Sequence, residues 1–251
     1  VPIVDGVITD DSRIKGAIDT IKFAVDSGAK VILGSHFGRP KKPDDTQYSL
    51  EPIAKHLQEL IGYEVILVEE PTSDATKNLL KSLSDNQIIL LENLRFHKEE
   101  TAGDEAFAEQ LSKLGDIYVN DAFGTAHRAH ASTTIVAQFF QDKKCFGNLL
   151  AQEIESIGKV MQTGEKPVLA VLGGAKVSSK ITIIENILDK VDHLIIGGGM
   201  AFTFVKAQGG TIGNSICEDD KMPLALEILK QAKAKNVQVH IPVDVIAADD
   251  F

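Results

Sequence analysis

The chain has 251 residues, 43% of them hydrophobic and 25% charged, and a formal net charge of −10. This composition excludes a disordered chain, a collagen-like repeat and a disulfide scaffold, and it fits one large or two modest domains. No apolar stretch approaches the roughly 20 residues that cross a bilayer, and the acidic balance disfavours nucleic-acid or anionic-membrane partners. The first residues lack a signal-peptide pattern, and Cys145 and Cys217 lack metal-ligand spacing, so we expect a cytoplasmic protein.

Helices and short strands alternate along the first 120 residues. Ile14, Ile18 and Ile21 recur at helical spacing, and Gly28 follows this first helix. The alternation continues with a strand over 30–34, a helix over 49–61, a strand over 64–68, a helix over 74–83, a strand over 88–91, a helix over 105–114 and a strand over 117–119. Alternation of this kind is typical of βαβ units with a parallel sheet.

The second half of the chain resumes this alternation after an interruption. Residues 131–148 have no clear period, and 149–161 form one long amphipathic pattern. The later segments predict a strand over 168–172, a helix over 177–190, a strand over 193–196, helices over 200–208 and 221–234, and a strand over 237–241.

We therefore predict an α/β protein with two Rossmann-like parallel-sheet domains and a cleft between them. The first domain covers residues 1–148, a connecting helix covers 149–163, and the second domain covers 164–251. Only three strands are evident after residue 164, and the sequence stops just after one of them. We therefore expect the second domain to be incomplete.

Arginine is scarce and unevenly placed. Only four of the 26 basic residues are arginine, and three of them follow predicted strands: Arg39, Arg95 and Arg128. Ligands of open parallel sheets bind beyond the carboxyl ends of the strands, and the arginine fork suits carboxylate and phosphate. We predict a polyanion site that includes these arginines, Arg13 and His36. The alternative is that the arginines are ordinary surface residues or internal ion pairs, and that His36, His127 and His130 pack in the core or cap helices.

Two glycine-rich turns follow predicted strands of the second domain. The first contains Gly173 and Gly174 and leads to Lys176 and Lys180, whose spacing predicts a shared face of the first helical turns. The second contains Gly197–Gly199. Glycines let backbone amides approach phosphates, but such turns also occur for tight packing alone. Neither turn matches a Walker A loop or the G-x-G-x-x-G fingerprint.

Two half-sites of this kind suggest a transfer between two ligands. Phosphoryl transfer needs little beyond positioning and cations that neutralise the moving charge. A carboxylate acceptor is ionised at neutral pH and needs no general base, which suits a sequence without an evident base. The absence of HExxH and CxxC spacing disfavours a zinc site, and the absence of a G-x-S-x-G elbow disfavours a hydrolase.

Five segments closely resemble the phosphoglycerate kinase family and occur in the family's order. They are residues 35–40 (SHFGRP), 91–96 (LENLRF), 120–132 (NDAFGTAHRAHAS), 172–180 (LGGAKVSSK) and 195–204 (IIGGGMAFTF). The resemblance covers essentially the whole chain. It implies reversible, ATP-dependent phosphorylation of the carboxylate of 3-phosphoglycerate, a glycolytic reaction that gives 1,3-bisphosphoglycerate and ADP.

The resemblance also implies roles for individual residues. Arg13 and Lys176 would act on the transferring group. The substrate would bind Arg13, His36, Phe37, Gly38, Arg39, Arg95 and Arg128. The nucleotide would bind Gly173, Gly174, Lys176, Lys180, Gly197, Gly198 and Gly199. Mg²⁺ would arrive with ATP or ADP, and no residue of this sequence is assigned as a metal ligand. The resemblance further implies a hinge-bending monomer.

The sequence departs from the family's pattern at both ends. A family strand with an aspartate and an asparagine would precede Val1, and the later half of the nucleotide domain, including an aspartate that helps hold magnesium, would follow Phe251. We therefore expect a chain truncated relative to the family. An inactive fragment that binds phosphoglycerate without turnover is one alternative. A nicotinamide oxidoreductase is another, disfavoured by the missing G-x-G-x-x-G fingerprint.

Overall fold

The computed structural model describes residues 1–4, 6–42 and 45–248. The chain divides into two compact units, Val1–Glu155 and Ser156–Phe251, so the division falls inside the long helix that follows residue 147. Residues 249–251 of the predicted second domain lie outside the described residues. No helix within the described ranges is long and apolar enough to cross a membrane.

The first unit contains seven short strands and five helices among its described residues. The strands are β1 (Ile3–Val4), β2 (Val7–Ile8), β3 (Val31–Leu33), β4 (Glu64–Val68), β5 (Gln87–Leu91), β6 (Tyr118–Asn120) and β7 (Lys144–Phe146). The helices are α1 (Ser12–Asp26), α2 (Glu51–Ile61), α3 (Asp74–Ser82), α4 (Lys98–Ala102) and α5 (Glu105–Ser112). Helix α6 (Asn148–Thr163) begins in this unit and continues into the next.

The central sheet of the first unit is parallel, as predicted, with the strand order β3-β5-β4. Val31 of β3 and Val65 of β4 both pair with Ile88 of β5, so β5 lies in the middle. This order makes β3 and β5 neighbours, and the loops that leave their carboxyl ends therefore start side by side. Those loops carry Arg39 and Arg95.

Strand β5 is the centre of the core because both of its faces are buried. Ile88 packs in one cluster with Ile14 of α1 and Leu57 of α2. Its neighbour Ile89 packs in another with residues of α5 that include Phe107. Successive side chains of a strand point to opposite faces, so the run Ile88–Leu91 supplies both layers. Burial on both faces explains why this strand is a continuous apolar run rather than an alternating one.

Two small sheets in the first unit were not predicted. Strands β1 and β2 form an antiparallel pair around Gly6, which has φ +76°. Strand β6 pairs in parallel with β7, in the stretch that shows no period in the sequence. The same stretch contains a π-helical turn at Ala131–Ile135 and a 3₁₀ turn at Val136–Phe140. Short irregular helices explain why no single period is visible there.

The second unit has one parallel sheet with three helices. Its strands are β8 (Leu169–Leu172), β9 (His193–Ile196) and β10 (Gln238–His240), in the order β10-β9-β8. Its helices are α7 (Ile181–Ile187), α8 (Met200–Ala207) and α9 (Met222–Ala234). Leu194 and Ile196 of the central strand are fully buried with Phe204 of α8 and Ile228 of α9. The sheet therefore brings the ends of β8 and β9, and both glycine turns, to one edge.

The predicted segments match most of these elements, with one difference that concerns the candidate site. Helix α2 ends where predicted because Gly62 adopts the left-handed conformation at φ 76°. Helix α7, however, begins at Ile181 and not at residue 177. Residues 178–180 form a turn before it. The prediction that Lys176 and Lys180 share a helical face is therefore wrong, because Lys176 precedes the helix and Lys180 is its N-cap.

Candidate functional site

Asn93 joins the loops at the carboxyl ends of β3 and β5. Its side chain is fully buried, and its amide nitrogen donates to the carbonyls of Phe37 at 2.7 Å and Tyr48 at 2.9 Å. Its amide oxygen accepts from the backbone N–H groups of Phe37 at 3.3 Å and Arg95 at 3.1 Å. All the hydrogen-bonding capacity of the amide is therefore used between these loops.

Glu92, next to Asn93, fixes the start of α2 in the same way. It is buried, and its carboxylate accepts hydrogen bonds from the Ser49 hydroxyl at 2.7 Å and the Leu50 N–H at 2.8 Å. A carboxylate near the first turn of a helix satisfies donors that have no partner within the helix. The segment after β5 is therefore held by the buried side chains of both Glu92 and Asn93.

Arg95 extends from this fixed segment toward the backbone of Gly38. Its Nη1 donates to the Gly38 carbonyl at 2.8 Å, while its Nε is buried and has no hydrogen-bond partner among the described residues. Gly38 has φ +61°, and a Cβ there would collide with the Tyr48 ring. Only glycine fits this position, and its backbone in turn orients the guanidinium.

The basic side chains predicted from the sequence lie close enough to interact electrostatically. Burial, and then the charge of Arg95, lowers the pKa of His36 to about 4, with smaller effects from His130 and Arg128. Burial, followed by the charges of Arg128 and Arg39, lowers the pKa of Arg95. The structure thus brings together His36, Arg39, Arg95 and Arg128 and adds His130. We refer to these five residues as the basic cluster.

Arg13 has a weaker connection to the basic cluster. It is exposed on the first turn of α1, and its charge acts on the Val1 nitrogen, which in turn acts on His36. No hydrogen bond or ion pair within the described residues links the Arg13 side chain to the cluster directly. Its assignment to the site therefore stays a prediction.

None of the four arginines pairs with a carboxylate among the described residues. Lysines behave differently, since Lys15, Lys55 and others form ion pairs with nearby acids. Arg128 is exposed, and its Nε donates to His127 Nε2 at 3.2 Å. The alternative that these arginines are internal ion pairs is therefore wrong for the described part of the chain. Guanidinium groups gathered without a carboxylate in ion-pair contact form a site that favours an anion.

A buried carboxylate anchors the loop that carries Arg128. Glu100 of α4 accepts hydrogen bonds from the Ser132 N–H at 2.9 Å and the Ser132 hydroxyl at 2.7 Å. His130, also buried, places Nδ1 3.8 Å from the same carboxylate. Burial lowers the pKa of His130, and the charge of Glu100 opposes that effect.

The start of helix α6 is tied to the same loop through Asp121. The Asp121 carboxylate accepts from the Leu150 N–H at 2.9 Å and from the Thr20 hydroxyl at 2.6 Å. Thr20 in turn accepts from the Asn148 N–H at 2.8 Å. Gly147 precedes the helix, and a Cβ there would collide with the Asp121 side chain. The first turn of α6 is therefore capped by side chains from β6's loop and from α1.

The two glycine turns of the second unit pack directly against each other. The Gly197 N–H donates to the Leu172 carbonyl, and the Met200 N–H donates to the Gly174 carbonyl, both at 2.8 Å. Gly198 has φ +66°, and a Cβ there would lie 2.8 Å from the Gly174 nitrogen. Glycine is needed at this position for close backbone approach, whether or not a ligand binds.

The two lysines of the first glycine turn lie at its far end. Lys176 is exposed, and Lys180 places its side chain beside Gly174, where a Cβ would lie 3.7 Å from Lys180 Cε. Neither lysine forms an ion pair within the described ranges. The turn is held instead by Glu218, which accepts from the Ser178 hydroxyl at 2.6 Å and the Ser178 N–H at 3.0 Å. These hydrogen bonds lower the pKa of Glu218.

Sequence reasoning missed the polar residues that support the site, of which Asn93 and Glu100 are buried and Glu218 is half-buried. Asn93 lies directly after a buried strand and could have been suspected on that ground. Glu100 and Glu218 show no signal in the sequence, because their partners Ser132 and Ser178 are 32 and 40 residues away. Arg39, Arg95 and Arg128 were found because arginine is rare in this chain.

Comparison with known proteins shows a match along the whole chain. The family model described as "Phosphoglycerate kinase" matches residues 1–251. Phosphoglycerate kinase from Clostridium novyi is 49% identical, and the match covers 100% of this chain and 63% of the relative. The enzyme from Anaeromyxobacter sp. is 52% identical over 94% of this chain and 60% of the relative. The chain thus spans about three fifths of the length of these relatives.

Solved structures agree with the sequence comparison. The structure of phosphoglycerate kinase from Coxiella burnetii matches with a TM-score of 0.82 and 42% identity, covering 100% of this chain and 63% of that one. The Pyrococcus horikoshii phosphoglycerate kinase structure matches with a TM-score of 0.80 and 32% identity, covering 96% and 62%. These shares agree with the expectation of a partial second domain. The arginine-bearing loops, the glycine turns and the full-length match together lead to one conclusion: the chain belongs to the phosphoglycerate kinase family.

Proposed function

We propose that the protein represented by this chain catalyses reversible phosphoryl transfer between ATP and the carboxylate of 3-phosphoglycerate. The observation that carries the proposal is the basic cluster, in which, within the part of the chain that the structure describes, no arginine forms an ion pair with a carboxylate and the buried Arg95 Nε has no hydrogen-bond partner. A small, multiply charged anion supplies the acceptors that this cluster lacks. Family membership supports the identity of that anion and of the nucleotide.

The first unit would bind the phosphoglycerate. Arg39, Arg95 and Arg128 supply guanidinium donors, and His36 supplies a ring that is neutral at pH 7 because its pKa is about 4. Phe37 and Gly38 belong to the loop that Asn93 clamps, and they contribute the backbone that holds this geometry. Arg13 would reach the transferring phosphoryl group.

The second unit would bind ATP or ADP. Gly173, Gly174 and Gly197–Gly199 form the paired turns at the carboxyl ends of β8 and β9, the edge where open parallel sheets take ligands. Lys180 and Lys176 would contact the phosphates, and Lys176 would also steady the transferring group. The absence of an ion partner for either lysine among the described residues is compatible with this role.

The transfer itself needs no proton to move. A carboxylate oxygen of 3-phosphoglycerate forms a bond to the γ-phosphorus of ATP, the bond from that phosphorus to the bridging oxygen breaks, and ADP leaves with the bond's electron pair. Arg13 and Lys176 would lie near the oxygens that carry charge during this step. Mg²⁺, brought with the nucleotide, would neutralise phosphate charge; the described residues contain no group of three or more potential metal ligands. We further propose a cytoplasmic monomer.

Titration calorimetry of the 251-residue chain with 3-phosphoglycerate, and separately with ADP, tests the two binding assignments. We expect saturable 3-phosphoglycerate binding that weakens as salt is raised, because the contacts are between charges. Conversion of the three arginines Arg39, Arg95 and Arg128 to methionine should abolish it without affecting ADP. Equal binding by that variant would contradict the proposed substrate site. A coupled assay for ADP formation tests turnover.

A further inference from the structure

We propose that Glu100 is a positioning residue of the phosphoglycerate site, which sets the distance between Arg95 and Arg128. This inference rests on the proposed function. The carboxylate touches neither guanidinium within hydrogen-bonding distance, so its effect would be transmitted through the loop that it holds.

The contacts of Glu100 connect the two arginine-bearing segments. Glu100 lies five residues after Arg95, in the short helix α4 that follows it. Its carboxylate is held by the backbone and side chain of Ser132, four residues after Arg128. The charge of Glu100 also acts on Arg95. The buried Glu100 side chain therefore links the segment that carries Arg95 to the loop that carries Arg128.

A second contact shows that α4 and the Arg128 loop fit closely. Gly103, with φ +68°, ends α4, and a Cβ there would collide with the Ala129 carbonyl oxygen. Tyr118 of β6 donates from its hydroxyl to the Ser132 carbonyl at 2.9 Å. The loop is therefore held by contacts from both α4 and β6, and Glu100 supplies the only carboxylate contact to Ser132 among the described residues.

Because Glu100 is negatively charged, it would not itself attract an anionic ligand. A carboxylate beside an anion site repels the ligand, and at long range its removal should strengthen binding. We therefore expect the hydrogen bonds from Glu100 to Ser132 to strengthen ligand binding by more than the negative charge weakens it. Loss of the hydrogen bonds and loss of the charge should change the affinity in opposite directions, so an experiment can separate them.

The experiment compares Glu100→Ala and Glu100→Gln with the matched control Glu99→Gln in the 251-residue chain. Glu99 is the adjacent residue, and its side chain makes no hydrogen bond or ion pair within the described ranges. Titration calorimetry measures the dissociation constant for 3-phosphoglycerate and for ADP, and thermal melting measures folding. Glutamine can keep both contacts to Ser132, since its amide oxygen accepts and the serine hydroxyl can turn to accept from its amide nitrogen.

We expect Glu100→Ala to weaken 3-phosphoglycerate binding about tenfold or more, because the half-buried Ser132 N–H and hydroxyl lose their acceptor and the loop that carries Arg128 loses its anchor. Glu100→Gln should stay within about threefold of the wild type, and ADP affinity should be unchanged in both. If the Glu100→Ala variant binds 3-phosphoglycerate as tightly as the wild type, or more tightly, the proposal is overturned, because only the charge of Glu100 would then affect binding. An equal loss for ADP would overturn it in favour of a general folding defect. Failure of the wild type to bind 3-phosphoglycerate would instead contradict the proposed function.

Discussion

The two units build their candidate sites by different physical means. In the first unit, the candidate site is made of charged side chains on loops held by buried polar groups such as Asn93 and Glu100. In the second unit, it is made of backbone, with two glycine turns packed against each other and Lys180 lying alongside. The difference lies in how much of each arrangement is explained without a ligand.

Packing within the second unit is enough to explain the glycine turns. Gly198 could not be another residue without striking Gly174, so its identity says little about a ligand. Packing does not explain the basic cluster, because bringing guanidinium groups together without ion-pair partners raises the free energy of the folded chain. The first unit therefore carries the stronger functional evidence.

The largest effect should come from Gly198→Ala, on stability. The left-handed backbone and the 2.8 Å approach to the Gly174 nitrogen should together cost about 2–4 kcal/mol in the free energy of unfolding of the second unit. Gly213→Ala is the matched control, since Gly213 also has positive φ, at +57°, but nothing within 4 Å of its Cβ position. Urea denaturation measures both. Equal losses would show that the close approach costs nothing.

Arg95→Lys should weaken binding of 3-phosphoglycerate about 10- to 100-fold while the protein stays folded. Lysine keeps the charge but cannot both bond to the Gly38 carbonyl and present the donor that Arg95 Nε supplies. Calorimetric titration measures the affinity, and Arg95→Met shows how much of the loss is charge. An unchanged dissociation constant for the lysine variant would remove Arg95 from the site.

His36 should make the first unit sensitive to acid. Its folded pKa of about 4 lies below the value of about 6.5 in the unfolded chain, so between these values only the unfolded state binds the proton. The free energy of unfolding should therefore fall as pH drops through this window, by roughly 1–2 kcal/mol after solvent screening of a half-buried ring. Denaturation at pH 7 and pH 5 should show a smaller drop for His36→Asn. A drop of equal size would contradict the prediction.

The smallest effect on stability is expected for Lys180→Met. Because Lys180 has no ion partner among the described residues, its removal should change the free energy of unfolding by less than about 0.5 kcal/mol. ADP binding should nevertheless weaken if the glycine turns hold phosphates. Lys55→Met, which removes an exposed ion pair of the first unit, is the control for general charge effects. Unchanged ADP affinity in Lys180→Met would leave the turns with a packing role only.

The sequence predicted the elements better than their assembly. Periodicity located α1 and α2, and the end of α2 followed from Gly62, because these depend on local spacing and on one residue's backbone freedom. The pairing of β6 with β7 could not be predicted, since the partners are separated by irregular turns. The helix start at Ile181 was missed because residues 178–180 turn without joining the helix, although the apolar pattern begins earlier.

The basic residues of the candidate site were predicted from the sequence, and the buried polar residues that support them were missed. Arg39, Arg95 and Arg128 could be found because arginine is rare in this chain and each of them follows a predicted strand, although β6, which precedes Arg128, lies in a separate sheet from β3 and β5. Asn93 could have been suspected from its place after a buried strand, but the sequence does not reveal which distant backbone groups Asn93 and Glu100 hold. Such contacts depend on the tertiary structure alone.

The capping of α6 by Asp121 has a consequence for the measurement of slow motions. Amides in the first turn of a helix have no acceptor within it and normally exchange their hydrogens with solvent quickly. The Leu150 amide is an exception, because its acceptor belongs to the loop that leads to Arg128. Its exchange rate therefore records how often that loop detaches. Hydrogen exchange at the Leu150 amide of α6 therefore reports on the order of the Arg128 loop in the first unit.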